Sequence, residues 1–138
     1  MRLAADANVL LAAVLGGRAR LILQDPRIEE VLTVPTIVAE VEEYAGILAR
    51  KKRLSEDLVL LAVAALPVTV VDQAAYADAI PNAKQRMGAR DPDDVDLLAL
   101  ALTFELPVWS NDKDFQGAGV TCLTTETLLR QLGLTPIR

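Results

Sequence analysis

Acidic residues stand at four points of the chain where their placement could support metal chemistry: Asp6, Glu40, Asp94 and Asp112. Asp6 and Asp112 each follow a short apolar segment, so each is predicted at the end of a β-strand. Asp94 falls in the first turn of a predicted helix, and Glu40 falls in the first two turns of another. The carboxyl ends of parallel strands form one edge of a sheet, where ligands bind. We expect right-handed crossovers to bring the four acids to that edge.

Carboxylates that lie close together need a cation. Without one they repel each other, and each resists ionisation. A hard divalent ion removes this conflict, and oxygen ligands suit Mg²⁺ or Mn²⁺. Such an ion activates water and neutralises charge that develops on a phosphate. The sequence has no histidine and a single cysteine, Cys122, which excludes histidine-based triads and an intramolecular disulfide and disfavours zinc.

The composition predicts one domain with no membrane partner. The 138 residues match the length of one domain, and we assign all of 1–138 to it. No apolar run reaches the ~18 residues of a membrane span, and the N-terminus lacks the order of a signal peptide. We therefore expect a cytoplasmic protein. Because hydrophobic residues make up 52% of the chain, there is room for the interface of a homodimer or higher homo-oligomer.

Predicted strands and helices alternate along the chain. The predicted strands are 2–5, 31–34, 68–71, 107–110 and 120–123. The main helices between and after them are 9–15, 35–53, 55–66, 73–87 (interrupted near Pro81), 95–105 and 124–132. This alternation indicates a three-layer α/β/α sandwich with a mainly parallel central sheet of about five strands. Asn8 is a candidate cap of the first helix as well as a candidate site residue.

Four segments, taken together, resemble the acidic motifs of the PIN-domain ribonucleases. Segment 5–10 (ADANVL) resembles the opening D-x-N-V-L motif, and 35–41 (PTIVAEV) resembles the second, where a helix carries a Glu. Segment 91–102 (DPDDVDLLALAL) resembles the third, and 107–115 (PVWSNDKDF) resembles the fourth, a strand that ends in T/S-x-D-x-D-F. The segments follow family order, with family-like spacing, across nearly the whole chain.

The resemblance implies a PIN-like fold and a metal-dependent endoribonuclease of the type found in toxin–antitoxin pairs. It implies RNA as the substrate, an antitoxin as the protein partner, and Mg²⁺ or Mn²⁺ as the cofactor. The catalytic, metal-ligating acids would be Asp6, Glu40, Asp94 and Asp112, with Glu40 binding directly or through water. The accessory positions would be Asn8, Asp91, Ser110 and Asp114.

The acidic run 91–96 leaves the third acid open to interpretation. We choose Asp94 because its distance to the segment 101–102 matches the family spacing, and Asp91 is the second choice. Asp91 also has the expected position of a helix cap. Asp93 and Asp96 are interpreted as surface acids that the positive end of the helix dipole favours.

Three other functions compete with the ribonuclease hypothesis. A signalling receiver domain needs an acidic pair after its first strand, where this chain has Asp6 alone. A phosphatase with a D-x-D nucleophile motif fails at Asn8. A catalytically silent PIN-like module that binds RNA or a protein partner stays open, because Ala7 stands where the family commonly has Thr or Ser. Neither Tyr44 nor Tyr76 has a context that distinguishes it.

Overall fold

The computed structural model describes residues 1–88 and 92–134. Within those ranges the strands are β1 (Arg2–Ala5), β2 (Glu30–Thr33), β3 (Thr69–Val70), β4 (Val108–Trp109) and β5 (Cys122–Leu123). The α-helices there are α1 (Ala7–Val14), α2 (Ala19–Gln24), α3 (Pro35–Lys51), α4 (Glu56–Ala64), α5 (Ile80–Met87), α6 (Pro92–Phe104) and α7 (Thr125–Gln131). Among these helices, none combines the length and apolarity that crossing a bilayer requires.

The five strands form one parallel sheet in the order β3-β2-β1-β4-β5. Strand β1 lies at its centre, where Ala4 pairs with Leu32 of β2 on one side and Val108 of β4 on the other. The chain builds outward from β1 to β3 and then returns past β1 to add β4. The strand order therefore reverses between β1 and β4, and a crevice is expected at their carboxyl ends.

Helices cover both faces of the sheet. Successive residues of a strand point to opposite faces, and Leu3, Ala4 and Ala5 of β1 are all 0% exposed. Trp109 in β4 is also fully buried. A sheet buried on both faces is typical of parallel α/β proteins. The predicted α/β/α sandwich with a parallel sheet is confirmed.

Two local predictions were wrong. Asp6, and not Asn8, is the N-cap of α1, because its carboxylate accepts a hydrogen bond from the backbone N–H of Ala7 at 2.8 Å. Asn8 lies inside the first turn. The helix predicted over 73–87 is replaced by two short 3₁₀ turns, Gln73–Ala75 and Ala77–Ala79, before α5 begins at Ile80. Proline is tolerated in the first turn of a helix and disfavoured in its interior, so Pro81 marks a helix start.

Asp25 connects the turn after α2 to the end of α7. Its buried carboxylate accepts hydrogen bonds from the backbone N–H of Arg27 at 2.9 Å and from its guanidinium at 2.9 and 2.7 Å. The guanidinium also donates to the carbonyl oxygen of Leu132 at 2.6 Å. The side-chain bond from Arg27 is the largest cause, and its backbone bond the second, of a pKa of about 2 for Asp25.

We expect this contact to stabilise the fold above about pH 4 and to lose that effect as the pH falls towards 2. The pKa of Asp25 is lowered from 3.8 to about 2 in the folded protein, so the unfolded chain takes up the proton first. Urea unfolding of Asp25→Asn at a series of acidic pH values should show a smaller loss of stability than wild type over this window. The exposed Asp78→Asn should behave as wild type. An unchanged pH slope in Asp25→Asn would rule the explanation out.

Candidate active site

A cleft of about 360 Å³ opens at the carboxyl ends of β1 and β4. Its lining consists of Asp6, Ala7, Asn8, Leu11, Glu40, Val41, Tyr44, Asp94, Asp112 and Asp114. The structure therefore places the four predicted catalytic acids around one space, together with Asn8 and Asp114. Ser110 is buried behind them, in contact with Asp6. Asp91, the second choice for the third acid, lies outside the described residues.

Asp6 is a buried carboxylate held by three hydrogen-bond donors. It is 6% exposed, at the junction of β1 and α1. One oxygen, Oδ1, accepts from the backbone N–H of Ala7 at 2.8 Å. The other, Oδ2, accepts from the hydroxyl of Ser110 at 2.8 Å and from the side-chain amide of Asn8 at 3.2 Å. The orientation of Asp6 is therefore fixed by α1 and by Ser110, the residue that follows β4.

Ser110 and Asn8 connect Asp6 to the loop that carries Asp112. The hydroxyl oxygen of Ser110 accepts from the Asn8 amide and from the backbone N–H of Asp112, each at 3.1 Å. The Asn8 carbonyl oxygen accepts from the backbone N–H of Asn111 at 3.1 Å. Asn111 in turn accepts from the backbone N–H of Thr125, at the start of α7, at 2.8 Å. The loop after β4 is thus bonded to Asp6, α1 and α7, and no sequence pattern indicated the role of Asn111.

The electrostatics of the cleft oppose ionisation of Asp6. Burial is the largest effect and raises the pKa of Asp6, and the negative charges of Asp112 and Asp114 raise it further. The hydrogen bonds from Ser110 and Ala7 act in the opposite direction without cancelling the rise. An ionised Asp6 therefore lies in a site that favours a nearby positive charge.

The donor chemistry of the cleft fits a hard divalent cation. Its polar groups are carboxylates from four elements or loops, together with the oxygens of Asn8 and, behind it, Ser110. These are the oxygen ligands that Mg²⁺ and Mn²⁺ prefer. Within residues 1–88 and 92–134, no three acidic side chains are yet drawn close enough to share one ion in this conformation. The Asp112 side chain is exposed, whereas those of Glu40, Asp94 and Asp114 are half-buried.

The acids of α6 point in different directions. Asp94 lines the cleft. Asp96, interpreted from the sequence as a surface acid, is half-buried and accepts a hydrogen bond from the hydroxyl of Tyr76 at 3.0 Å. Tyr76 is 1% exposed, and its burial, followed by the contact with Asp96, raises its pKa. The surface interpretation of Asp96 was therefore wrong, because a buried hydroxyl from another segment needs its carboxylate.

Fold and cleft together define an α/β protein with a carboxylate-lined crevice where the order of a parallel sheet reverses. The chain belongs to the PIN domain family, whose profile matches residues 5–133. The predicted resemblance is confirmed. No curated protein sequence matches the chain significantly.

Solved structures show the same fold at low sequence identity. A Pyrobaculum aerophilum protein is 16% identical, with a TM-score of 0.73, covering 98% of this chain and 91% of that one. A toxin–antitoxin complex from Klebsiella pneumoniae contains a chain 20% identical, with a TM-score of 0.64 and coverages of 89% and 97%. VapC20 of Mycobacterium tuberculosis, described as a toxin that cleaves the sarcin-ricin loop, is 21% identical, with a TM-score of 0.60 and coverages of 86% and 96%.

Proposed function

We propose that this chain is an endoribonuclease that depends on a divalent cation. The observation that carries the proposal is the cleft at the switch point of the sheet, where Asp6, Glu40, Asp94 and Asp112 surround one space. Membership of the PIN domain family supports it, as does the resemblance of the four acidic segments to those of PIN-domain ribonucleases. Similarity in fold to a toxin described as cleaving the sarcin-ricin loop is consistent with RNA as substrate.

Asp6, Asp94 and Asp112 would hold Mg²⁺ or Mn²⁺, and Glu40 would bind it directly or through water. When bound, the ion supplies activation of water and neutralisation of the charge that develops on the phosphate. A cation held by these residues would also relieve the repulsion that Asp112 and Asp114 exert on Asp6. An acidic cleft can in this way accept the phosphodiester of an RNA, despite the net charge of −5.

The polar residues behind the acids orient them. Within the described residues, Oδ1 of Asp6 accepts one hydrogen bond and Oδ2 accepts two. A carboxylate oxygen has two acceptor sites, so ligation through Oδ1 would leave the bonds from Ser110 and Asn8 intact. Ser110 also holds the backbone N–H of Asp112. We therefore assign Ser110 and Asn8 as positioning residues, and Asp114 as an acid that adds negative charge beside Asp6.

We further propose that the protein is the toxin of a toxin–antitoxin pair and that it self-associates. A solved complex of similar fold is a toxin–antitoxin assembly. Helix α4 exposes 68% of Leu58 and 64% of Leu61, beside a groove of about 270 Å³ that Leu60 and Val63 help to line. Exposed apolar surface of this kind marks protein contacts. An antitoxin, or a second copy of the chain, would cover it.

The second candidate is a catalytically silent PIN-like module that binds RNA or a protein partner. Ala7 favours it, because an alanine lining the cleft supplies no hydroxyl where the family commonly has one. Its backbone N–H nevertheless bonds to Asp6 as a cap. The two functions differ in one measurable respect, since a silent module binds RNA or a partner without cutting RNA.

Cleavage of RNA in the presence of Mg²⁺, Mn²⁺ or EDTA tests the proposal. We expect the wild-type protein to cut RNA with either ion and to stop in EDTA. Asp112→Asn should cut at least about 100-fold more slowly, since it removes a charge from the reacting site. Glu29→Gln is the matched control, because Glu29 lies at the opposite edge of the sheet, 3.4 Å from the terminal amine. Cutting that persists in EDTA and in Asp112→Asn would contradict a metal-dependent site, and RNA binding without any cutting would favour the silent module.

A further inference from the structure

The cleft has an apolar rim, formed by Leu11 and Tyr44, beside the carboxylates that form its floor. Leu11, Val41 and Tyr44 line the same space as the carboxylates. Val41 is buried, Leu11 is half-buried, and Tyr44 is 48% exposed. An aromatic ring with half its surface open to solvent, at the mouth of an acidic cleft, is available to a ligand that brings an apolar face.

Helix geometry sets the distance between the rim and the floor. Tyr44 comes four residues after Glu40 on α3, so the two share a helix face and lie about 6 Å apart along its axis. On α1, Leu11 has the same relation to Ala7. Helices α1 and α3 pack against each other, and Leu11 and Tyr44 line the same cleft, each one helical turn after a residue that also lines it. A single nucleotide can bridge that span, with its phosphate at the carboxylates and its base at the rim.

We propose that Tyr44 and Leu11 form a nucleobase subsite, in which an unpaired base of the RNA stacks on the Tyr44 ring. The inference rests on the proposed ribonuclease function and adds how the substrate is held. Every base has a π-face, so aromatic side chains bind single strands with little dependence on sequence. Carboxylates repel phosphates, so direct backbone contacts contribute little in this cleft, and stacking supplies binding that does not depend on charge.

The subsite is expected to distinguish unpaired from paired nucleotides. A base inside a duplex is covered on both faces by its neighbours, whereas an unpaired base can turn outward and stack on protein. The cleft volume of about 360 Å³ lies within the range of small-ligand pockets, so it has room for one nucleobase. We therefore expect the subsite to bind an unpaired nucleotide better than one inside a duplex.

The test uses a short single-stranded RNA with 2-aminopurine beside the cut site, and Ca²⁺ in place of Mg²⁺ for the binding measurements. Stacking quenches 2-aminopurine fluorescence, so wild type should quench it. Tyr44→Ala should bind the RNA roughly tenfold more weakly and lose the quenching. Tyr44→Phe should keep both, because it keeps the ring. Phe104→Ala is the matched control, since Phe104 is 37% exposed at the far end of α6.

The outcomes separate this subsite from the enzymatic function. If wild type and Tyr44→Ala cut RNA, bind it and quench the fluorescence equally, the proposed subsite is wrong and the proposed ribonuclease function is supported. If wild type binds RNA and quenches the fluorescence without cutting, and Tyr44→Ala loses the quenching, the base-stacking subsite is supported and the ribonuclease function is wrong. An absence of RNA binding by wild type overturns both. Equal loss in Tyr44→Ala and Tyr44→Phe overturns the stacking role, because the hydroxyl would then be the binding group.

Discussion

Replacing Asp6 with asparagine should lower RNA cleavage with Mn²⁺ at least about 100-fold and abolish the stabilisation of the fold by Mn²⁺. Asparagine has nearly the same shape as aspartate, but it carries no charge and binds a divalent ion weakly. Asp6 is 6% exposed and fixed by Ser110, Asn8 and the backbone of Ala7, so the substitution changes a carboxylate whose position is well defined. Cleavage rates and the thermal midpoint with and without Mn²⁺ measure the two effects.

The pKa of Asp6 adds a pH dependence of known sign. Burial, reinforced by the charges of Asp112 and Asp114, raises this pKa, so the proton competes with the ion above the usual range of an aspartate. Mn²⁺ affinity should therefore increase as the pH rises through the raised pKa, since binding releases the proton. Without the ion, stability should fall over the same window, because the native state keeps its proton to a higher pH than the unfolded chain. Asp6→Asn should remove both contributions.

Glu29→Gln provides the control for this experiment as well, since it changes the net charge equally at the opposite edge of the sheet. It should retain the Mn²⁺-dependent thermal shift and the wild-type cleavage rate. A thermal shift and a cleavage rate that both survive in Asp6→Asn would show that the ion binds elsewhere. Loss of cleavage with the shift intact would restrict Asp6 to the reaction itself.

The parallel sheet was predictable because it depends on patterns that are local in sequence. Apolar segments alternate with helix starts marked by Pro35 and Pro92, and this order permits few topologies. The exact extent of the strands was less predictable. β3 and β4 have two residues each, where four were expected, because a strand ends where its neighbour stops pairing with it. That limit is set by the tertiary structure.

The residues of the candidate site likewise differ in whether local sequence patterns could predict them. The placement of Asp6 and Asp112 at one cleft was predictable because strand ends in parallel sheets share an edge. The position of Tyr44 in the cleft and the hydrogen bonds of Asn111 were not predicted, because they depend on which residues α3 and the loop after β4 face in the folded protein. The bond between Tyr76 and Asp96 joins residues 20 positions apart, and no local pattern indicates it.

The second large effect on RNA cleavage depends on which acid of α6 faces the cleft. Asp94→Asn should lower cleavage at least about 100-fold, whereas Asp93→Asn should stay within a few-fold of wild type. Consecutive helical residues point about 100° apart, and of these two only Asp94 is among the described residues that line the cleft. The two variants remove the same charge, one residue apart, near the start of the same helix. Any difference between them is therefore due to the direction in which each side chain points and not to long-range electrostatics.

Cleavage rates and Mn²⁺ affinities of the two variants, compared at equal thermal stability, give the measurement. Equal losses in both would mean that the acidic helix start acts through its total charge. A loss confined to Asp93→Asn would shift the register by one residue and exclude Asp94 as a ligand. A loss confined to Asp94→Asn would place the third acid on the face of α6 that meets Asp6, even though the sequence around it offers four carboxylates within six residues.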